Sequence, residues 1–184
     1  MQNQLQQHML TPIHLLLIIT ATSTALMAGL FFAWSVSVMP GIALLPDAAY
    51  IAAMQAMNTA ILNPVFFAAF FGTLGLLPLS TWLQYSQPLS PRFWLLLSAT
   101  ILYAAGVFGV TFFGNVPLND TLGAFPLQSA TAGEIAALRI GFEGPWNNLN
   151  NIRTIASTLS ILLVIIACLS HTNISPADSS PIGK

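Results

Sequence analysis

Long apolar runs alternate with short polar segments along the chain, and this pattern predicts four membrane-spanning helices. No Asp, Glu, Lys or Arg falls within residues 13–39, 62–82, 93–113 or 154–169. A helix of about 20 residues rises roughly 30 Å, which is the thickness of the hydrocarbon layer of a bilayer. Backbone groups in that layer must bond to each other, so each run is expected to be helical.

Polar residues between the runs set the expected ends of the helices. Asn63-Pro64 has the pattern of a cap followed by the first residue of a helix. Thr131 and Glu134 have the capping-box spacing, which is expected to start a short helix. Gly144-Pro145 is expected to end that short helix and to begin the last span. The predicted fold is an all-α, four-helix transmembrane bundle with a roof of loops and short helices on one side.

We expect one membrane domain over residues 13–169, with spans at about 13–39, 62–82, 93–113 and 145–169. Residues 1–12 are expected to form an N-terminal tail, and residues 170–184 a disordered C-terminal tail. The first run could instead be a secretory signal, because residues 20–25 offer small side chains. The lack of a preceding Lys or Arg and the continued hydrophobicity favour a retained span.

The composition supports a membrane protein and argues against some partners. Of 184 residues, 55% are hydrophobic and 5% are charged, whereas a typical soluble domain has about 25% charged residues. A formal net charge of -1 offers no basic patch, so nucleic acid is not an expected partner and membrane lipid is. The single cysteine excludes a disulfide within the chain. Nothing in the composition sets the oligomeric state.

Charge leaves the orientation of the four spans nearly balanced. Both termini share one side with Arg92 and Lys184, while Arg139 and Arg153 belong to the opposite side. If Arg153 is part of a site and not of a loop, the positive-inside rule places the termini in the cytoplasm. We therefore expect a multi-pass protein of the bacterial inner membrane with cytoplasmic termini.

A polar segment, GPWNNLNNIRT at residues 144–154, precedes the last apolar run. On a helix, Trp146, Asn150 and Arg153 share one face. An arginine costs about 2.5–3.5 kcal/mol at mid-membrane and usually faces protein or a wet cavity. Beside a helix N-terminus, its charge and the Asn amides would bind an oxyanion. The alternative is an interfacial arginine that reaches water, among solvated asparagines.

Two further polar groups are expected on the same side of the membrane as this segment. Asn115, Asn119 and Asp120 lie in the segment NVPLND, which is expected to be a loop after the third span, while Gln55 and Asn58 lie on one face of a short helix before the second. Each group alone is weak evidence, because turns often use such residues. Their convergence on one side predicts a pocket.

An apolar floor would complete this pocket and make it typical of small-molecule sites. The floor residues are Phe31, Phe32, Trp34 and Met39. No metal centre is expected, because the chain has no Cys/His pair with ligand spacing. It also lacks a phosphate-binding loop, a dinucleotide fingerprint and a G-x-S-x-G nucleophile motif.

Four segments of the chain resemble the anthrone oxygenase-like family of small four-helix membrane proteins. They are GLFFAWSVSVMPGI, MQAMNTAILNPVF, NVPLND and WNNLNNIRT, and the resemblance covers about residues 29–157. Leu149 stands where the family pattern W-x-x-W-N-H-V-R-T has a tryptophan, and Asn151 where it has a histidine. The positions that match this pattern are Trp146, Asn150, Arg153 and Thr154.

The resemblance implies oxidation of an anthrone, or a similar polycyclic phenol, to a quinone by O₂ without an added cofactor. It implies that Arg153 stabilises the charge of the substrate anion and that Trp146 stacks on its rings. Hydrogen-bond donors would be Asn150, Asn115 and Asn119.

The general base would be Asp120 or Glu143. The other substrate-binding candidates are Gln55, Asn58, Trp34 and Met39. The alternative function is a non-catalytic membrane protein that binds a lipid, a quinone or a partner subunit.

Overall fold

The computed structural model describes residues 11–170, and within them the chain forms helices and no strand. Four helices are long and apolar enough to cross a membrane, so the predicted all-α fold with four spans is confirmed. The expected tails lie outside the described residues, except for residues 11, 12 and 170. The helices are α1 (Pro12–Ile42), α2 (Asp47–Ala60), α3 (Pro64–Leu83), α4 (Pro91–Gly123) and α5 (Ala132–Leu169).

Side-chain caps begin all four spanning helices, and two of these caps, at Asn63 and Thr131, lie where the sequence predicts them. The Asn63 Oδ1 atom accepts hydrogen bonds from the first backbone N–H groups of α3, at 3.1 and 3.0 Å. Thr131 and Glu134 form a complete capping box at the start of α5. Thr11 and His14 form another at the start of α1. These caps satisfy N–H groups that have no partner inside the helix.

The helix that begins at Thr131 does not stop at Gly144-Pro145, so the predicted break there is wrong. α5 runs through both residues and reaches 38 residues. A proline inside a helix costs about 3 kcal/mol. Two large side chains offset this cost, because Phe142 before the proline and Trp146 after it are both buried.

The segment NVPLND, which was expected to be a loop, forms part of the last turns of α4. A π-helical segment, Thr111–Asn115, comes directly before it, and the Val116 N–H bonds to the Thr111 carbonyl five residues earlier. The wider turn admits Pro117, which has no N–H to donate. α1 repeats this arrangement, with the π-helical segment Trp34–Val38 shortly before Pro40.

The four long helices pack in the cyclic order α1, α3, α4, α5. Hydroxyl pairs join neighbouring helices within the bundle, such as Thr20 with Ser80 at 2.9 Å and Thr81 with Thr100 at 3.0 Å. Small polar side chains are common at such contacts between spanning helices.

The roof is mainly the helix α2, which packs on α5 and on the end of α4. α3 has 20 residues and spans about 30 Å, so it matches the hydrocarbon layer. α1, α4 and α5 are longer, and their extra turns surround α2. We call this side of the bundle the roof side. Beneath α2 lies a second apolar core that includes Met39, Tyr50, Ile51, Met54, Leu122, Phe142 and Trp146.

Candidate functional site

A cavity of about 220 Å³ lies on the roof side of the bundle, between α1, α3, α4 and α5. We call it the aromatic cavity. Its volume is below the roughly 300–1,000 Å³ of sites for drug-sized ligands, so a planar molecule of a few fused rings is the appropriate size of ligand. The side chains of α3 and α4 that line it include Phe66, Phe67, Phe70, Phe71, Phe108 and Phe112.

Arg153 forms the charged end of the aromatic cavity. Its side chain is buried, with 6% of the residue exposed. Its Nη2 atom donates to Asn150 Oδ1 at 2.8 Å, and Nη1 donates to Thr111 Oγ1 at 3.4 Å. The guanidinium carbon lies 4.6 Å from the Phe31 ring centroid and 5.3 Å from that of Trp146. These aromatic faces stabilise the positive charge.

No carboxylate compensates this charge among residues 11–170. The lining of the aromatic cavity contains no Asp or Glu, and both ion pairs of the described residues involve Arg139 instead. The Arg153 Nε atom is buried and has no hydrogen-bond partner there. A buried charge without a counter-charge is unfavourable, so this end of the cavity favours an anion.

Asn150 holds Arg153 in place and has no donor left for a ligand. Its Nδ2 atom donates to Ser35 Oγ at 2.8 Å and to the Phe31 carbonyl at 3.3 Å. Its Oδ1 atom accepts from Arg153. The expected role of Asn150 as a donor to the substrate stays a prediction, while its contacts within the protein position the guanidinium.

Two tryptophans close the cavity next to the arginine. The Trp34 and Trp146 rings lie 5.3 Å apart, and both line the aromatic cavity. The Trp146 Nε1 atom donates to Asn119 Oδ1 at 2.8 Å, which fixes the indole beside Asn119, another residue of the lining. The predicted face of Trp146, Asn150 and Arg153 is thus buried as one unit.

Three other asparagines carry buried polar atoms without partners in the part of the chain that the structure describes, and one of them, Asn147, belongs to a separate polar cleft. The other two are closer to the site. Asn58 lines the aromatic cavity, and its Nδ2 atom is unpaired. Asn115 is buried with both side-chain polar atoms unpaired, but it is not in the cavity lining. It lies one turn from both Thr111 and Asn119 along α4. Buried amides of this kind are usually paired, so both are candidates for contact with a ligand or water.

Neither predicted general base reaches the cavity. Asp120 is exposed, because α4 continues as a helix and turns this side chain outward. Glu143 accepts from Arg139 Nε at 2.8 Å and belongs to the roof. Burial raises the pKa of the nearby Tyr50 phenol, the Glu143 charge adds to this, and Arg139 opposes it. The phenol therefore stays protonated near neutral pH.

Three other predicted residues lie elsewhere. Gln55 donates to the Leu122 and Phe125 carbonyls at 2.9 and 3.1 Å, so it joins α2 to the end of α4. Phe32 is exposed on the outer face of α1. Met39 is buried beside a separate polar cleft of about 170 Å³, because the π-helical segment of α1 shifts the face on which it lies.

The same polar cleft contains position 151, where the family pattern has a histidine. Asn147 and Asn151 line this cleft, and neither is in the lining of the aromatic cavity. The expected contribution of a helix N-terminus is also absent from the site. α5 begins at Ala132, so Arg153 lies about six turns along the helix.

Sequence analysis missed the phenylalanine walls and two hydroxyl groups, those of Ser35 and Thr111. The paired phenylalanines at residues 66–67 and 70–71 were a signal, because residues four apart share a helix face. Within residues 11–170, no three His, Cys, Asp or Glu side chains are close enough to bind a metal ion. The expectation of no metal stays a prediction.

Comparison with known proteins gives one match. A family model described as anthrone oxygenase matches residues 29–163, and this range contains all four segments that carry the resemblance. No curated protein and no solved structure matches the chain significantly.

Proposed function

Because the chain belongs to the anthrone oxygenase family, we propose that it oxidises a planar polycyclic phenol of the anthrone type to a quinone. O₂ is the oxidant. The substrate methylene loses both hydrogens and gains one oxygen atom as a carbonyl, while the second oxygen atom leaves as water. This balance needs no further cofactor.

The observation that carries the proposal is the uncompensated Arg153 guanidinium at the end of a cavity with aromatic walls. An anthrone loses its methylene proton readily because the anion is a delocalised phenolate. A guanidinium beside the phenolate oxygen stabilises that anion and lowers the pKa of the substrate. The electron-rich anion then gives an electron to O₂, and the resulting carbon–oxygen bond leads to a hydroperoxide that loses water.

The other residues of the cavity have supporting roles in this proposal. The phenylalanine walls and Trp146 hold the rings, while Asn58 and Asn119 donate hydrogen bonds to ring oxygens. Asn150 keeps the guanidinium directed at the phenolate. The substrate proton passes to solvent water, since the described lining contains no carboxylate, histidine or thiol.

That lack of a base in the described lining favours a second candidate function. A protein that only binds a quinone or a lipid headgroup needs the cationic end and the apolar walls, but needs no proton acceptor. The two functions differ in turnover, because a binding protein does not accelerate oxidation of an anthrone.

The test compares purified protein in lipid nanodiscs with two matched arginine variants. Emodin anthrone is supplied in air, and quinone formation is followed by absorbance against the spontaneous rate. Loss of one anion-stabilising donor lowers rates by about 10²–10³-fold, so Arg153→Met should lose nearly all of the excess rate. Arg92→Met removes an arginine of similar burial at the other end of the bundle, and this variant should keep the excess rate of quinone formation.

Two results would reject the enzymatic proposal. One is a wild-type rate equal to the spontaneous rate, and a co-purifying quinone or lipid would then support the binding function. The other is an equal rate in the wild type and in Arg153→Met, which would mean that the guanidinium does not contribute to catalysis.

We further propose the bacterial inner membrane with cytoplasmic termini as the location. The position of Arg153 supports this orientation, because it lies about six turns inside α5 and is not a loop charge, whereas Arg92 is in the first turn of α4. The side of the termini then has Arg92 and Lys184 against Arg139 alone. Labelling of single cysteines in the loop at residues 84–90 from either side of sealed vesicles checks it.

A further inference from the structure

The wall of the aromatic cavity between α3 and α4 is only one side chain thick. Phe67, Phe71 and Phe112 line the cavity, yet they are 38%, 51% and 57% exposed. The same side chains therefore border the cavity on one face and the surroundings of the bundle on the other. Rotation of these rings about their side-chain bonds would open the cavity sideways.

The contact between α3 and α4 is weaker on the roof side than at the opposite end. Away from the roof, Thr81 bonds to Thr100 at 3.0 Å, and the Tyr103 hydroxyl donates to the Phe70 carbonyl at 3.1 Å. Nearer the roof, no hydrogen bond joins the described parts of the two helices. The Phe112 ring stacks on Phe108 of its own helix, at 6.1 Å. Across the boundary, the Phe108 ring contacts those of Phe70 and Phe71, with centroids 5.8 and 6.1 Å apart, so aromatic contacts join the two helices here.

The thin wall lies within the hydrocarbon layer. α3 begins at Pro64 and just matches the layer in length, so its first residue marks the boundary on the roof side. Phe67 and Phe71 lie about 4.5 and 10.5 Å further along the helix, at 1.5 Å per residue. An opening between them would face lipid tails and not water.

The route from water is covered by α2. Three of its own side chains, Tyr50, Ile51 and Met54, are fully buried against the rest of the protein. Gln55 bonds α2 to the end of α4, and Trp146 bonds to Asn119 directly above the cavity. A ligand from the aqueous side would have to break these contacts, whereas a ligand from the bilayer has only rings to displace.

We propose that the ligand enters the aromatic cavity from the bilayer, between α3 and α4, as an uncharged weak acid. This route rests on the proposed function and narrows the class of substrate. A permanent anion in hydrocarbon is strongly unfavourable, so sulfonated ring systems are excluded. A polycyclic phenol crosses the layer in its neutral form and ionises only beside Arg153.

The experiment blocks the opening after the ligand has bound. Phe112→Cys is made in a Cys168→Ser background, because Cys168 is the chain's single cysteine and is exposed. The protein is loaded with emodin, labelled with pyrenyl maleimide and mixed with empty vesicles, and emodin release is followed by fluorescence. Leu159→Cys, another exposed apolar position on α5, receives the same label as the control.

We expect release to slow at least tenfold with the label at position 112 and to stay unchanged with the label at position 159. Equal or faster release from the labelled Phe112→Cys protein would overturn the lateral route alone. Failure of the unlabelled protein to bind emodin would reject the proposed function together with the route. Anthraquinone-2-sulfonate supplied from water should not bind, and binding as tight as that of emodin would overturn the weak-acid requirement.

Discussion

Each end of the four-helix bundle contains a buried arginine, and the two have different partners. Arg92 is 8% exposed and Arg153 is 6% exposed. The Arg92 Nε atom donates to the Ala167 carbonyl at 2.8 Å, and its Nη2 atom donates to the Ser170 carbonyl. Arg153 has only neutral side-chain acceptors, and its Nε is unpaired within the described chain.

The difference shows that partners, and not burial, separate a structural arginine from a candidate functional one. The last carbonyls of α5 have no partner inside the helix and carry partial negative charge. Arg92 neutralises them and joins the start of α4 to the end of α5. Arg153 is several turns from either end of α5, so no helix terminus offers it compensation.

The largest expected effect comes from giving Arg153 the counter-charge that it lacks. Asn150→Asp preserves the shape of the side chain that holds the guanidinium at 2.8 Å and adds a carboxylate. We expect the excess quinone rate to fall by about 10²–10³-fold, because the cation no longer stabilises a substrate anion. The free energy of unfolding in detergent should rise at the same time. An unchanged rate would contradict the role of the uncompensated charge.

A smaller effect is expected from removing the compensated arginine. Arg92→Met exposes the carbonyl end of α5 and should lower the free energy of unfolding by about 1–2 kcal/mol. Arg153→Met removes a charge without a counter-ion and should leave that free energy unchanged or raise it. Denaturant titrations of the two variants in the same detergent make the comparison. An equal fall in the free energy of unfolding in both variants would mean that both arginines have a structural role.

The smallest effect is expected in the roof. Gln55→Leu removes both bonds from α2 to the end of α4, at a cost of about 1 kcal/mol in unfolding free energy. Because Gln55 does not line the aromatic cavity, the loss of Arg153 should still lower the quinone rate in this background. Thermal unfolding followed by circular dichroism, together with the rate assay, checks both points. A larger loss of rate in Gln55→Leu than in Asn150→Asp would mean that the roof, and not the charge at Arg153, controls the quinone rate.

The spanning helices could be predicted because a membrane imposes their length and their internal hydrogen bonding. The face of Trp146, Asn150 and Arg153 was predictable for a related reason, since α-helical spacing holds through that part of α5. The break at Gly144-Pro145 was predicted wrongly because glycine and proline have low helix propensity. Tertiary packing stabilises the helix there in spite of that propensity.

The rest of the site depends on contacts that sequence does not encode locally. A phenylalanine in a spanning helix faces either lipid or a cavity, and both environments are apolar. The repeat of phenylalanines at residues 66–67 and 70–71 therefore marked a shared helix face but did not distinguish a cavity wall from a lipid-facing surface. The π-helical segments changed the direction of residues that follow them. Ideal helical spacing therefore misplaced Met39, and the expected loop misplaced Asp120.

The π-helical stretches of α4 are Tyr103–Gly109 and Thr111–Asn115. They also determine which single-residue deletions α4 can tolerate. Each holds an extra residue relative to an α-helical path, and one residue corresponds to about 100° around the axis. Deleting a single codon there would remove the extra residue and restore regular winding, so Asn119 would keep its position next to Trp146, whereas a deletion in a regular part of α4 would rotate Asn119 by about 100°. A deletion in the connection at residues 84–90 would leave that register intact.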